Sequence, residues 1–129
     1  MIIGFRYSAA DVIKNPAVRL EVRMKLLSRA EEIILLAVIK LEDNAYGVTI
    51  RDYIHEATGL KWSFASIYEP LHKLARKGFV RRLKKGTYPE RGGRARCMYE
   101  ITADGREALL SIRQVQERLS KDVPTKFLI

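Results

Sequence analysis

Residues 62–101 constrain the chain more than any other stretch, because a helical pattern gives way there to an extended one at a single glycine. Phe64, Ile67, Leu71 and Leu74 recur at spacings of three, four and three, the signature of one apolar helix face. Ser63 stands where an N-cap belongs, and Gly78 where the left-handed residue after a helix belongs. The residues opposite the apolar stripe are Ala65, Ser66, Glu69, His72, Lys73 and Arg76, with Tyr68 on the flank. Directly after Gly78, Phe79–Lys84 reads as a strand and Arg96–Ile101 as its partner. The segment 85–95 between them holds three glycines and a proline, so it reads as turn. Pro70 removes a backbone donor inside the helix, and is expected to kink it or shift its effective start.

Charge is concentrated in the same stretch. Residues 61–96 contain eleven of the 24 Lys and Arg, but only Glu69 and Glu90 of the 15 acids. Their net +9 equals the formal charge of the whole chain, so the remainder is neutral. Basic charge confined to one contiguous unit is the electrostatic footprint of a polyanion partner. An exposed helix followed by a basic, glycine-broken hairpin is the outline of a winged helix-turn-helix, and double-stranded DNA is the polyanion it fits.

The rest of the chain supplies a scaffold. Asn15-Pro16 is a good helix start, and Ala17, Leu20, Met24 and Leu27 continue from it as an amphipathic stripe. Ser28-Arg-Ala-Glu31 is a capping-box pattern. Ala30, Ile33, Ile34, Ala37, Val38 and Leu41 follow at helical spacing, and Leu35, Leu36 and Ile39 make that helix apolar almost all round. It should therefore be the buried central helix. A break near Ser28 and one long helix from Pro16 to Leu41 are both compatible with the pattern. Residues 48–58 read as the next helix, with Val48, Ile50, Ile54 and Ala57 facing inward, and Trp62 reads as a packing residue. Thr102 caps a final helix reaching about Lys121, on which Ala108, Ile112, Val115 and Leu119 form a two-heptad a/d seam. Two heptads are too few to hold a dimer alone, but joined with Leu20 and Met24 of the N-terminal arm they could. Pro124 is expected to end the helical part.

Together these readings give a mainly α fold with a small β-hairpin. A helical arm occupies residues 1–27, a winged helix-turn-helix DNA-binding domain 28–101, and a C-terminal dimerisation helix and tail 102–129. No apolar run approaches the roughly 20 residues of a membrane span, and no signal-peptide pattern is present, so a cytoplasmic protein is expected. A single cysteine, Cys97, excludes an internal disulfide framework and a cysteine-built zinc site; it reads as a strand residue facing the core. His55 and His72 fall on different helices, and Glu90-Arg-Gly-Gly lacks the setting and the lysine of a phosphate-binding loop. An enzyme, a metal site and a cofactor are therefore not expected.

In the order and spacing of its short motifs the chain resembles the PadR family of bacterial transcriptional regulators. The residues concerned are Ile34-Leu-Leu-Ala37, Tyr46-Gly-Val-Thr-Ile50, Ser66-Ile-Tyr68 with Leu71 and Leu74, Gly78-Phe-Val80, Pro89-Glu-Arg-Gly-Gly-Arg94, and Tyr99-Glu-Ile-Thr102 with Gly105. The resemblance spans about residues 28–120, and relatives share a proline at the place of Pro70. It implies a winged-helix homodimer built on the C-terminal helix, of the small subfamily with one such helix, that binds a palindromic operator and represses. It further implies release of DNA by a small aromatic or drug-like effector bound near the dimer interface. The first 23 residues depart from the pattern, since such proteins usually start near the position of Met24.

The candidate contacts follow from helix-turn-helix docking, in which the N-terminal part of the recognition helix meets base edges. Ser63, Ala65, Ser66, His72 and Lys73 are placed there, with Lys61 just ahead of them. Glu69 also lies there and would repel phosphates, so it either reads a cytosine N4 donor or points away, and pointing away is the expectation. Tyr46 and Tyr68 combine an apolar ring with a hydroxyl, fitting either core packing or a phosphate contact. In the wing, Gly92 and Gly93 allow close backbone approach, and Arg91, Arg94 and Arg96 can reach the duplex. The competing reading is a winged-helix adaptor whose basic face holds an acidic protein. A third, RNA binding, lacks an exposed aromatic stacking platform.

Overall fold

A computed structural model describes residues 10, 14–16, 27–88 and 94–127. The elements are helix α1 (Arg29–Leu41), a 3-10 turn (Glu42–Asn44), α2 (Gly47–Thr58), α3 (Phe64–Arg76), β1 (Val80–Tyr88), β2 (Arg94–Ile101), α4 (Ala103–Ser120) and a 3-10 turn at Thr125–Phe127. Two compact units result: Ser28–Arg106, and Met1–Leu27 with Glu107–Ile129. The first is mainly helical with a two-stranded antiparallel hairpin, the winged-helix arrangement expected from the sequence.

The chain breaks at Leu27-Ser28, which are not helical, and restarts at a complete capping box. The Glu31 amide donates to Ser28 Oγ and the Ser28 amide to Glu31 Oε1, both at 3.1 Å. Glu31 is buried, and its other oxygen accepts from Lys77 Nζ at 2.6 Å. One carboxylate thus caps α1 and ties it to the end of α3, which compensates the burial of its charge. Asn15 is non-helical and Pro16 helical, as a cap at that site requires, while Leu20 and Met24 lie outside the described residues.

Three helices and the base of the hairpin form the core of Ser28–Arg106. α1, α2 and α3 pack pairwise, with β2 against α1 and β1 against α3. Ile34, Leu35, Ile50, Ile67, Leu71, Leu74 and Tyr99 are almost wholly excluded from solvent. α1 departs from its expected burial on every side. Leu36 and Ile39 are 48% and 41% exposed, because the two helices and one strand packed on α1 cannot surround it completely. In α2, Ile50 and Ile54 are buried and Val48 is half-buried, but Ala57, expected inside, is exposed in the last turn. Trp62 is half-buried.

α3 runs unbroken through Pro70, so the expected kink does not interrupt it. Proline there forfeits one amide that would have served the Ser66 carbonyl. The helix closes in a Schellman motif. Gly78, at φ 80°, donates to the Ala75 carbonyl and Phe79 to the Leu74 carbonyl, at 3.1 and 2.9 Å. The next element leaves from this turn and the last helix returns to it. The Thr102 amide donates to the Phe79 carbonyl at 3.0 Å and its hydroxyl to the Gly78 carbonyl at 2.6 Å, while Thr102 Oγ1 accepts from Gly105 at 3.1 Å.

The hairpin is longer than its sequence suggests. Val80 pairs with Ile101, and the ladder continues through Lys84–Cys97 to Tyr88–Arg94. A bulge between Lys84 and Thr87 contains Gly86 at φ 87°, so the glycine read as turn is an irregularity inside a strand. The wing tip 89–93 lies outside the described residues. At the base, a bridge from Tyr46 to Met98 and a 2.8 Å bond from the Tyr99 amide to the Ala45 carbonyl attach β2 to the link between α1 and α2. Cys97 is half-buried beside Arg82 rather than in the core, whereas the next two residues, Met98 and Tyr99, are buried. α4 covers Ala103–Ser120, ending ahead of Pro124. Among the described residues no helix is long and apolar enough to cross a membrane.

Candidate nucleic-acid interface

α3 carries the candidate site because its two faces are divided. Ile67, Leu71 and Leu74 are fully buried, whereas Ala65, Ser66, Glu69, His72, Lys73 and Arg76 are exposed. Its N-terminus is closed by Ser63, whose Oγ accepts from the Ser66 amide at 3.2 Å and lies 3.0 Å from Ser66 Oγ. Lys61 is exposed just ahead of it. Glu69 is exposed and pairs with Lys73 at 3.7 Å, an i,i+4 contact of small energetic weight that leaves Lys73 available. The structure thus brings Lys61, Ser63, Ala65, Ser66, His72 and Lys73 onto one helix and its approach.

Along the edge of that face runs a ridge at four-residue spacing. Phe64, Tyr68 and His72 stack in sequence with ring centroids 6.2 Å apart at each step, and Arg76 is the next position. The Arg51 guanidinium lies 4.2 Å over the Phe64 ring, bracing α2 against the start of α3. The ring ridge follows from i,i+4 spacing within α3, whereas the Arg51 contact is not legible from spacing, since it depends on how α2 crosses α3.

Tyr68 is half-buried because its ring reaches back to α2. A Cβ placed on Gly47 would lie 2.2 Å from the Tyr68 hydroxyl oxygen and 2.4 Å from the ring. Gly47 is therefore required for close approach, not for backbone freedom. Gly47→Ala should displace Tyr68 and cost about 1–3 kcal/mol, the range of overpacking. With Tyr68→Ala already present, most of that cost should vanish. A double-mutant cycle by urea denaturation measures the coupling, and additive effects would refute the contact.

Tyr46 is buried at the N-cap of α2, where its amide donates to Thr49 Oγ1 at 2.9 Å. The Arg96 guanidinium lies 4.1 Å over its ring, so this arginine, opposite the bulge of the hairpin, is held against the start of α2. Arg94 is in β2, and Arg91, Gly92 and Gly93 fall outside the described residues.

The candidate contacts named from the sequence leave out two cations that the fold brings to the same surface: Arg76, which the helical wheel already puts on the open face, and Arg82. Arg82 sits opposite the buried Tyr99 in the hairpin register, and its Nη2 donates to Cys97 Sγ at 3.5 Å. That bond, with Tyr99 next to it, holds the guanidinium above the ordinary arginine value, so it is permanently cationic. Burial in turn pushes the Tyr99 phenol up, opposed by Arg82. The signal available was the strand pairing, which puts residue 82 across from residue 99.

Among the described residues no group of three or more His, Cys, Asp or Glu could hold a metal. Residues 35–111 match the family described as "Transcriptional regulator PadR-like family". Two solved structures are similar. One, the complex structure of hsRosR-S4, has a TM-score of 0.56 and 23% identity over 81% of each chain. The other, a PadR family transcription regulator from Clostridium difficile, has a TM-score of 0.54 and 24% identity, over 75% of this chain and 98% of that one. At such identity the two show the fold alone. No curated protein matches the chain closely enough to count.

Proposed function

Since this chain belongs to the PadR-like family of transcriptional regulators, we propose that it is a homodimeric, sequence-specific repressor that binds a palindromic operator in the cytoplasm. The observation that carries the reading is α3, with one edge sealed in the core and the opposite face open. It stands beside a hairpin in the basic stretch that accounts for the chain's whole net charge. Ser63, Ala65, Ser66, His72 and Lys73 meet base edges or adjacent phosphates, with Lys61 and Tyr68 at their margin. Arg91, Gly92, Gly93 and Arg94 bring the wing to the minor groove, and Arg96 with Tyr46 anchors its base.

In the same proposal residues 1–27 form an arm, 28–101 the DNA-binding domain and 102–129 the dimerisation helix and tail. Ala108, Ile112, Val115 and Leu119 join Leu20 and Met24 in the interface. Leu119 is 66% exposed in the single chain, which supports a partner at that end of the seam, whereas Ala108 is already buried within the chain. Two copies of α3 then enter successive major grooves about 34–36 Å apart. Release by a small aromatic or drug-like effector is the remaining part, supported by the family resemblance. A compound that raises the melting temperature while abolishing DNA binding would establish it.

The test is a titration of the purified protein against its own upstream intergenic duplex and a scrambled duplex at two salt concentrations. Tighter binding to the upstream duplex, with one dimer per site and affinity falling steeply with salt, supports the repressor. Equal, weak binding that vanishes at moderate salt overturns it and points to an acidic protein partner.

A further inference from the structure

We propose that the groove between α3 and β1, walled by His72, Arg76 and Arg82, seats a phosphodiester of the DNA backbone; this rests on the DNA-binding reading above. The groove is lined by His72, Ala75, Arg76 and Arg82, with no carboxylate among the described residues that line it. The small side chain of Ala75 forms its floor, leaving about 390 Å³ of open space for an oxyanion. Its walls come from two elements whose relative position is fixed by the Schellman turn at Gly78 and Phe79.

The donors are arranged in advance. His72 and Arg76 are successive positions of one helical ridge, four residues apart. Arg82 reaches the groove from the strand, restrained by Cys97 Sγ at 3.5 Å and by its place opposite buried Tyr99. A guanidinium already held loses less freedom on binding, and its fork suits a phosphate. The acids at neighbouring positions are engaged elsewhere, Glu69 with Lys73 and Glu100 with Arg81. Base edges meet the N-terminal half of a recognition helix, whereas this groove adjoins the C-terminal half of α3, so the group it receives is backbone. Arg76 and Arg82 thereby anchor the duplex without reading its sequence.

Fluorescence anisotropy over a salt series tests this, using the full chain with the upstream duplex and a scrambled duplex. Arg82→Ala and Arg76→Ala should each weaken both duplexes by the same factor, roughly 5- to 10-fold, and lower the slope of log affinity against log salt by about 0.9. Arg82→Lys should keep the slope, because the charge remains. Melting curves superposable on the wild type show that the variants are folded. If both alanine variants bind with unchanged affinity and slope while the wild type still binds, the seat is wrong and the DNA reading stands. A loss confined to one duplex also overturns it, by making the arginines base readers. If the wild type binds neither duplex, the DNA reading falls first.

Discussion

Leu71→Ala should lower the stability of the folded chain by about 2–5 kcal/mol, the range for emptying a leucine site in a closed core. Leu71 is fully buried on α3, the helix that packs against α1, α2 and β1 at once. The lost methyl groups leave a space that three helices and a strand would have to close together. The neighbouring His72→Ala, on the exposed face, should change stability by no more than about 0.5 kcal/mol. Urea denaturation of both variants, with unchanged m-values, checks the pair. The contrast is the informative part: adjacent residues on one helix divide between holding the fold and meeting a ligand. Equal losses from the two substitutions would mean that α3 has no free face, and the interface assignment would fail with it.

Gly105→Ala should be the other severe lesion, at about 2–4 kcal/mol, because overpacking is costly where the opposing atom cannot move. A Cβ at this position would lie 2.3 Å from the Phe79 carbonyl oxygen and 2.9 Å from Ile101 Cγ1. The carbonyl is backbone, and it already accepts from the Thr102 amide, so the first turn of α4 would have to lift away. That movement also strains the Thr102 hydroxyl bond to Gly78 and the bond from Gly105 to Thr102 Oγ1. Gly59→Ala is the control. Its φ of 78° disfavours a side chain, but nothing lies near the new Cβ, so only about 1 kcal/mol is expected. Thermal unfolding distinguishes the two, and a Gly105→Ala chain that melts with Gly59→Ala would refute the close approach.

The parts of the fold that could be read from sequence are those governed by local rules. Ser28 with Glu31, Ser63 ahead of α3, Gly78 behind it and Thr102 ahead of α4 are caps, and each depends on residues within a few positions. The stripe Ile67, Leu71 and Leu74 is a consequence of helical period alone. What could not be read depends on partners distant in sequence. Leu36 and Ile39 carry the same apolar signal as buried Leu35 and Val38, and only the number of surrounding elements separates them. Gly86 has the composition of a turn, yet a partner strand recruits it into a bulge. Cys97 is only half-buried although it shares a strand face with buried Tyr99, because burial falls off along β2 away from the helical body. The open face of α3 was legible in the helical period. Arg76 and Arg82 were counted as charge, but their convergence needs the angle between a helix and a strand.

The clasp at Gly78, Phe79, Thr102 and Gly105 has a topological consequence. The chain leaves the helical body at Phe79 and, 22 residues later, returns to the same few atoms at Ile101 and Thr102. The hairpin is thus a detour with both ends pinned at one point. Its proximal pairs, from Val80–Ile101 to Leu83–Met98, adjoin the body, and past the bulge the strands pair again at Thr87–Ala95 and Tyr88–Arg94. Lengthening, trimming or transplanting that outer portion leaves the route of the remaining chain unaltered. It is an exchangeable cassette, and if the proposed wing contacts hold, DNA preference can be retuned through it without renegotiating the fold.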